Sequence, residues 1–180
     1  KWRWILAFNV LFFLTLVLWG VEGGTGNRGW LRFGPIGIQP AEVVKITFTI
    51  LLAKQICVLN SHDLNAPASV AQLVAHFVLM FGLIILVSDD LGSALVYLVI
   101  FLVMLFAAGL KLRWFGLGLL LFAAASPILW RMLGDYQKQR ILAPYIPEVV
   151  DPTGLGVTWQ ANQSKIALAS GGLKGAGLYH

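Results

Sequence analysis

Long apolar runs separated by short polar segments dominate the hydrophobic pattern of the chain. Apolar runs of about 20 residues with few charges are typical of helices that cross a lipid bilayer. We therefore predict five transmembrane helices, with the approximate bounds 4–19, 39–59, 70–87, 91–110 and 114–133. Residues 134–180 are too polar and too rich in glycine and proline for a further span, so we predict an extracellular loop segment there.

The most informative polar residues lie at the start of the second apolar run. Pro40 suits the first turn of a helix, and Glu42 complements the positive end of the helix dipole. Glu42 and Lys45 are three residues apart, so they share a helix face and can form an ion pair. Because charges at membrane depth are costly, we expect the pair to point into a bundle or a water-filled cavity. The alternative is a purely structural pair that fixes packing.

A second polar stripe enters the fourth predicted span. Asp90, Ser93 and Tyr97 fall at positions i, i+3 and i+7 of that helix, so we predict that they face the bundle. Asp89 points elsewhere and is interpreted as solvated. Because only Ser88 to Asp90 separate the third and fourth apolar runs, these two helices should be antiparallel neighbours.

Composition supports a membrane protein and excludes several other classes. Of the 180 residues, 58% are hydrophobic and 12% are charged, with a mean hydropathy of +0.80. The net charge of +5 is spread along the chain, which argues against nucleic-acid binding and favours membrane lipids or an anionic substrate. One cysteine, Cys57, excludes an internal disulfide and is expected to be a packed thiol.

The charges of the short loops predict an orientation in the membrane. Lys1, Lys54 and Lys111 fall on one side by alternation, and Asp89 falls on the other with the tail after residue 133. The basic side should be cytoplasmic, so the tail should be extracellular. Since the chain begins with Lys1 instead of Met and stops after a glycine-rich stretch, we expect an internal fragment.

Six short motifs stand in an order that is similar to a known family. They are Gln39-Pro40-Ala41-Glu42-x-x-Lys45, Asp90-Leu91-Gly92-Ser93-Ala94, Tyr136-Gln137-x-Gln139-Arg140, Asp151-Pro152-x-Gly154-x-Gly156, Gln163-Ser164-Lys165-Ile166-Ala167 and Ser170-Gly171-Gly172-Leu173. By these motifs the chain resembles, over essentially its whole length, the SEDS family of shape, elongation, division and sporulation proteins. This is the RodA, FtsW and SpoVE type of peptidoglycan polymerase.

The resemblance implies an all-α fold, a polytopic transmembrane bundle of about ten helices, of which this chain supplies the middle five and part of a large extracellular loop. It implies a multi-pass protein of the bacterial plasma membrane that acts in cell-wall synthesis, during cell shaping or cell division. The implied activity is glycosyl transfer, in which lipid II units are joined and undecaprenyl diphosphate is released. The implied partner is a class B penicillin-binding protein.

Such a transfer requires a base for the acceptor hydroxyl and positive charge beside the leaving diphosphate. The expected substrate-binding or cavity residues are Glu42, Lys45, Asp90, Arg140, Asp151, Lys165 and Lys174. The expected supporting residues are Gln39, Pro40, Ser93, Tyr97, Gln163 and Ser164. The resemblance places the catalytic aspartate beyond His180, so no catalytic residue is expected here and the chain alone should be inactive. No metal ligands are predicted, and a divalent cation that helps to hold the diphosphate is left open.

Two other functions are compatible with the sequence. Charges at membrane depth also suit a flippase or transporter of a lipid-linked sugar. A non-catalytic membrane scaffold of the cell-wall synthesis complex would use the tail to bind a partner, and Glu42 and Lys45 would then be structural. Polymerisation of lipid II by the full-length protein separates these hypotheses.

Overall fold

The computed structural model describes residues 2–21, 28–172, 175 and 177, and these residues form helices and one short hairpin. The elements in chain order are α1 (Trp2–Trp19), β1 (Leu31–Phe33), β2 (Ile36–Ile38), α2 (Pro40–Asn60), α3 (Pro67–Leu83), a π-helical turn (Ile84–Ser88), α4 (Leu91–Ala107), α5 (Leu112–Met132), α6 (Asp135–Leu142), α7 (Pro147–Val150) and α8 (Trp159–Gly171). The chain divides into two compact units, Lys1–Leu117 and Gly118–His180.

A helix occupies each of the five predicted spans, with ends that differ by a few residues from the predicted ones. Three helical segments are long and apolar enough to cross a membrane, namely Trp2–Trp19, Pro67–Ser88 and Leu112–Met132. Of the other two, α2 carries three charged residues and α4 is 17 residues long. That all five helices cross the bilayer stays a prediction.

The packing of the first unit follows the apolar face of α2. Its buried residues recur every three or four positions, as expected for an amphipathic helix: Pro40, Ala41, Val44, Phe48, Leu51, Leu52, Ile56 and Leu59. Phe48 is fully buried, and its ring lies 5.0 Å from that of Tyr97 on α4. A stacked pair, Phe77 on α3 and Phe101 on α4, has ring centroids 4.5 Å apart. These contacts make α2 and α4 the centre of the unit.

One expectation for α2 is wrong, and a short hairpin precedes the helix. Cys57 is exposed and not packed, because it lies on the side of α2 opposite the buried face. Before α2, β1 and β2 pair in antiparallel register with Arg32 opposite Gly37. Gly34 takes a φ of +62° in the turn, a conformation open to glycine, so the glycine-rich composition here also serves a hairpin.

A short connection joins α3 to α4, and the stacking of Phe77 on Phe101 confirms that these two helices are neighbours in space. The π-helical turn ends at Ser88, and Asp89 adopts a left-handed conformation with φ 51° and ψ 34°. Aspartate tolerates this conformation better than most residues, and the αL residue redirects the chain within one position. Asp90 can therefore begin α4 directly.

The second unit carries more helix than the sequence indicated. The segment predicted as an extracellular loop contains α6, α7 and α8. Ser170 and Gly171, which begin the sixth motif, form the last residues of α8. The predicted phosphate-binding residue Lys174 lies outside the described residues.

Candidate functional site

The N-terminal ends of α2 and α4 are joined by a side-chain hydrogen bond. Gln39, which precedes α2, donates from Nε2 to Oδ2 of Asp90 at 3.0 Å. Pro40 begins α2 and is fully buried, so the first turn of the helix is anchored by packing as well as by this bond. The hydrogen bond and the burial of Pro40 together fix the start of α2.

Asp90 also caps α4. Its Oδ1 accepts a hydrogen bond from the Ser93 backbone N–H at 3.0 Å, and its Oδ2 accepts one from the Ser93 hydroxyl at 2.7 Å. The capping bond satisfies one of the backbone donors that every helix leaves unpaired at its start. The carboxylate of Asp90 thus serves both helices at once.

A second contact between α2 and α4 lies about two turns further along α4. Tyr97 is completely buried, and its hydroxyl donates to the backbone carbonyl oxygen of Ala41 at 2.7 Å. Together with the Asp90 contacts, this confirms the predicted orientation of the Asp90, Ser93 and Tyr97 stripe towards the bundle. Ala41 could not be identified from the sequence, because every residue has a backbone carbonyl that can accept a hydrogen bond.

Glu42 and Lys45 form the predicted ion pair, with Lys45 Nζ 2.7 Å from Glu42 Oε1. The pair is not buried within this chain: the side chain of Glu42 is 57% exposed and that of Lys45 is 24% exposed. The reason is geometric, since Val44 and Phe48 take the opposite side of α2 into the core. Within this chain the charges occupy an open face beside the anchored first turn, and their position in a bundle or a water-filled cavity stays a prediction.

Two further polar contacts inside the first unit were missed by the sequence analysis. Asn9 is completely buried, and its Oδ1 accepts from the Thr47 hydroxyl at 2.6 Å. The ring of His76 contacts the Gln55 amide oxygen through Nδ1 at 3.0 Å. Isolated polar residues in apolar runs were the available signal, but partners on different helices cannot be matched without the fold.

Asp151 organises its own segment in the second unit. Its carboxylate accepts hydrogen bonds from the Thr158 hydroxyl at 2.7 Å, the Thr158 N–H at 3.0 Å, the Gly156 N–H at 2.9 Å and the Thr153 hydroxyl at 3.1 Å. The bond from the Thr158 hydroxyl contributes most to lowering the pKa of Asp151 from 3.8 to about 2. With four donors already engaged, this geometry favours a loop-organising role, and a substrate contact stays a prediction.

The other predicted residues of the second unit lie on its helices. Arg140 on α6 stacks on Tyr136, with Cζ 5.7 Å from the ring centroid. Gln163, Ser164 and Lys165 are exposed on α8, and the Ser164 hydroxyl is bonded to a backbone carbonyl of its own helix at 2.9 Å. The cations Arg140 and Lys165 are thus solvent-accessible, as phosphate-binding side chains must be. Within the described ranges no group of three or more His, Cys, Asp or Glu residues could hold a metal ion.

Comparison with known proteins identifies the family. The family model of FtsW, RodA and SpoVE, described as a cell cycle protein, matches residues 1–180. The chain belongs to this FtsW/RodA/SpoVE family. It is accordingly a polytopic, mainly helical membrane protein, as the hydropathy pattern indicated.

Individual members of the FtsW/RodA/SpoVE family are similar to the chain over most of its length. Peptidoglycan glycosyltransferase MrdB of Escherichia coli K12 is 37% identical over 158 residues, which are 86% of this chain and 40% of MrdB. A probable peptidoglycan glycosyltransferase FtsW of Trichlorobacter lovleyi is 34% identical over 180 residues, 99% of this chain and 46% of the relative. The chain therefore spans less than half the length of these relatives.

Solved structures show the same fold. A chain from a peptidoglycan synthase complex that coordinates polymerization and crosslinking matches with a TM-score of 0.71 and 32% identity, over 96% of this chain and 49% of that one. The rod shape determining protein RodA of Thermus thermophilus matches with a TM-score of 0.54 and 29% identity, over 67% of this chain and 38% of RodA.

The junction between α2 and α4 gives a first prediction. Asp90→Ala removes the cap of α4 and the acceptor for Gln39, so the protein should lose about 1 to 2 kcal/mol of stability. Ser93→Ala is the matched control: it keeps the backbone cap and the Gln39 contact and should cost less than about 1 kcal/mol. Thermal unfolding in detergent measures both, and equal losses would contradict the double role of Asp90.

The Asp151 segment gives a second prediction. Because the folded-state pKa is lowered, the carboxylate stabilises the segment fully above pH 3.8, and this contribution is lost as the pH falls towards about 2. The protection factors of the Gly156 and Thr158 amides against hydrogen exchange, relative to the intrinsic rate at each pH, should therefore fall in acid, and Asp151→Asn should lower them already at neutral pH. Asp135→Asn, which changes a carboxylate that is 96% exposed, should leave these amides unchanged. Equal exchange in both variants would show that the bonds do not hold the segment.

Proposed function

We propose that this chain is part of a peptidoglycan glycosyltransferase that polymerises lipid II and releases undecaprenyl diphosphate. The observation that carries the proposal is the Glu42–Lys45 pair, held on an open face of α2 by the contacts of Gln39 and Tyr97 with the neighbouring elements. The proposal is supported by the similarity to glycosyltransferases named MrdB and FtsW.

Lys45 has the chemistry that the leaving diphosphate requires. An ammonium group carries three donors, and in Lys45 one of them is directed at Glu42 Oε1. The remaining donors are free to meet phosphate oxygens from the open side of the helix. Charge that develops on the leaving group is then stabilised by a cation that is already positioned. Glu42 acts as a positioning residue that fixes the direction of the Lys45 side chain.

The contacts between α2 and α4 fix the position of that cation. Gln39 and Tyr97 hold the first turn of α2 on α4, and Lys45 lies one turn further along the same helix. A displacement of about 1 Å at a catalytic group can cost on the order of 100-fold in rate. Gln39, Asp90, Ser93 and Tyr97 are therefore proposed as positioning residues.

The proposal also gives roles to two cations of the second unit and names a protein partner. Arg140 and Lys165 are accessible cations that can bind further phosphate or sugar oxygens of the undecaprenyl-linked substrate. A class B penicillin-binding protein is the proposed protein partner, in line with the structural neighbour from a peptidoglycan synthase complex. A divalent cation at the diphosphate stays open.

The proposal predicts that Lys45→Ala separates folding from activity. An ion pair this exposed contributes about 0 to 1 kcal/mol, so unfolding in detergent should change little. Polymerisation of lipid II by the full-length protein with its partner should fall on the order of 100-fold, since one preorganised donor to developing charge is lost. Glu42→Ala should lower the rate less, and the Glu42→Ala/Lys45→Ala double variant should fold but stay inactive.

Lys111→Ala is the control, because it removes one exposed lysine outside the site and should leave the rate unchanged. Near-normal glycan synthesis by the double variant would contradict the proposal and favour a structural pair. If the unaltered protein translocates lipid in liposomes but makes no glycan, a flippase is favoured. If it shows neither translocation nor glycan synthesis, a scaffold is favoured.

A further inference from the structure

A cavity of about 440 Å³ lies between α1, α2 and α3 at the end of the first unit where α1 begins. Its volume falls within the range of small-molecule sites, roughly 300 to 1,000 Å³. It is distinct from the candidate functional site, because Lys54 in its wall is nine residues along α2 from Lys45, a rise of about 13 Å. Nothing in the proposed transfer reaction uses it.

The walls of the cavity are mainly apolar, with a few polar groups. Leu6 on α1, Leu51 on α2 and Leu79 on α3 are among the apolar lining residues. The polar lining includes Lys54 and Gln72, both exposed. The cavity therefore suits a molecule that is mostly hydrocarbon and has one polar end.

The charge at the cavity favours an anion. Lys54 lines it directly, and Arg3 lies beside it, with Cζ 5.7 Å from the ring of the lining residue Trp2. No lining residue within the described part of the chain is acidic. Trp2 and Arg3 are also residue types that gather at the membrane interface, so this end of the cavity is expected at headgroup depth.

Side-chain amides in the cavity wall add hydrogen-bond donors, which also favour an anionic ligand. Gln55 lines the cavity and uses its Oε1 for the contact with Nδ1 of His76 at 3.0 Å, which leaves its N–H groups as donors. Gln72 on α3 also lines the cavity and carries an amide. Phosphate and ester oxygens are the acceptors that two amides and two cations can bind together.

We propose that this cavity binds an anionic glycerophospholipid. One acyl chain occupies the apolar volume, and the phosphate contacts Lys54 and Arg3 at the membrane interface. Basic pockets between transmembrane helices are known to select such headgroups, and the long stems of lysine and arginine reach them while covering apolar surface. The bound lipid would fill the space between α1, α2 and α3.

Photo-crosslinking tests the proposal without measuring glycan synthesis, so its outcome is independent of the proposed function. The full-length protein is reconstituted in phosphatidylcholine vesicles that contain a photoreactive phosphatidylglycerol, and labelled peptides are mapped by mass spectrometry. Label should appear on α2 and α3 around Lys54 and Gln72. Lys54→Gln should reduce it about fivefold, the effect of losing one lysine near an anionic headgroup.

Matched variants separate the cavity from general membrane contact. Ala75→Trp fills the cavity and should remove most of the label, whereas Ala71→Trp changes an exposed alanine of the same helix outside the cavity and should not. Lys111→Gln is the charge control. The proposal is overturned if Lys54→Gln leaves the label unchanged, if a photoreactive phosphatidylcholine labels the same peptides equally, or if the unaltered protein is not labelled there because another protein segment fills the space.

Discussion

The contact between the start of α2 and the first two turns of α4 is the constraint on which the candidate site depends. A buried polar group without a partner is costly, so the buried hydroxyl of Tyr97 needs an acceptor, and the part-buried carboxylate of Asp90 gains a donor across the interface. They find these partners at Ala41 and Gln39. Satisfying these groups fixes the start of α2, and the open face of α2 that carries Lys45 is fixed with it.

Much of this arrangement could be predicted from the sequence, because it follows from helical periodicity. Apolar runs of suitable length gave the helices, and the spacing of Asp90, Ser93 and Tyr97 gave the polar face of α4. The spacing of Glu42 and Lys45 gave their ion pair. Each of these inferences concerns neighbours on a single helix, where sequence separation determines spatial separation.

The features that could not be predicted depend on which elements meet. The partner of Tyr97 is a backbone carbonyl, which any residue supplies, and the pairing of Asn9 with Thr47 joins two helices whose rotation the sequence does not give. The exposure of Glu42 and Cys57 likewise follows from the side of α2 that packs. The four bonds to Asp151 depend on how residues 151–158 turn, and the motif alone does not determine that turn.

The most direct test maps the substrate on the full-length protein. A lipid II analogue with a photoreactive group beside the diphosphate is crosslinked, and the labelled peptides are identified by mass spectrometry. Label is expected on the part of α2 that contains Glu42 and Lys45, and a marked loss of that label is expected in Asp90→Ala at a temperature where the variant is folded. Label confined to other helices, or label on α2 that does not respond to Asp90→Ala, would contradict this expectation.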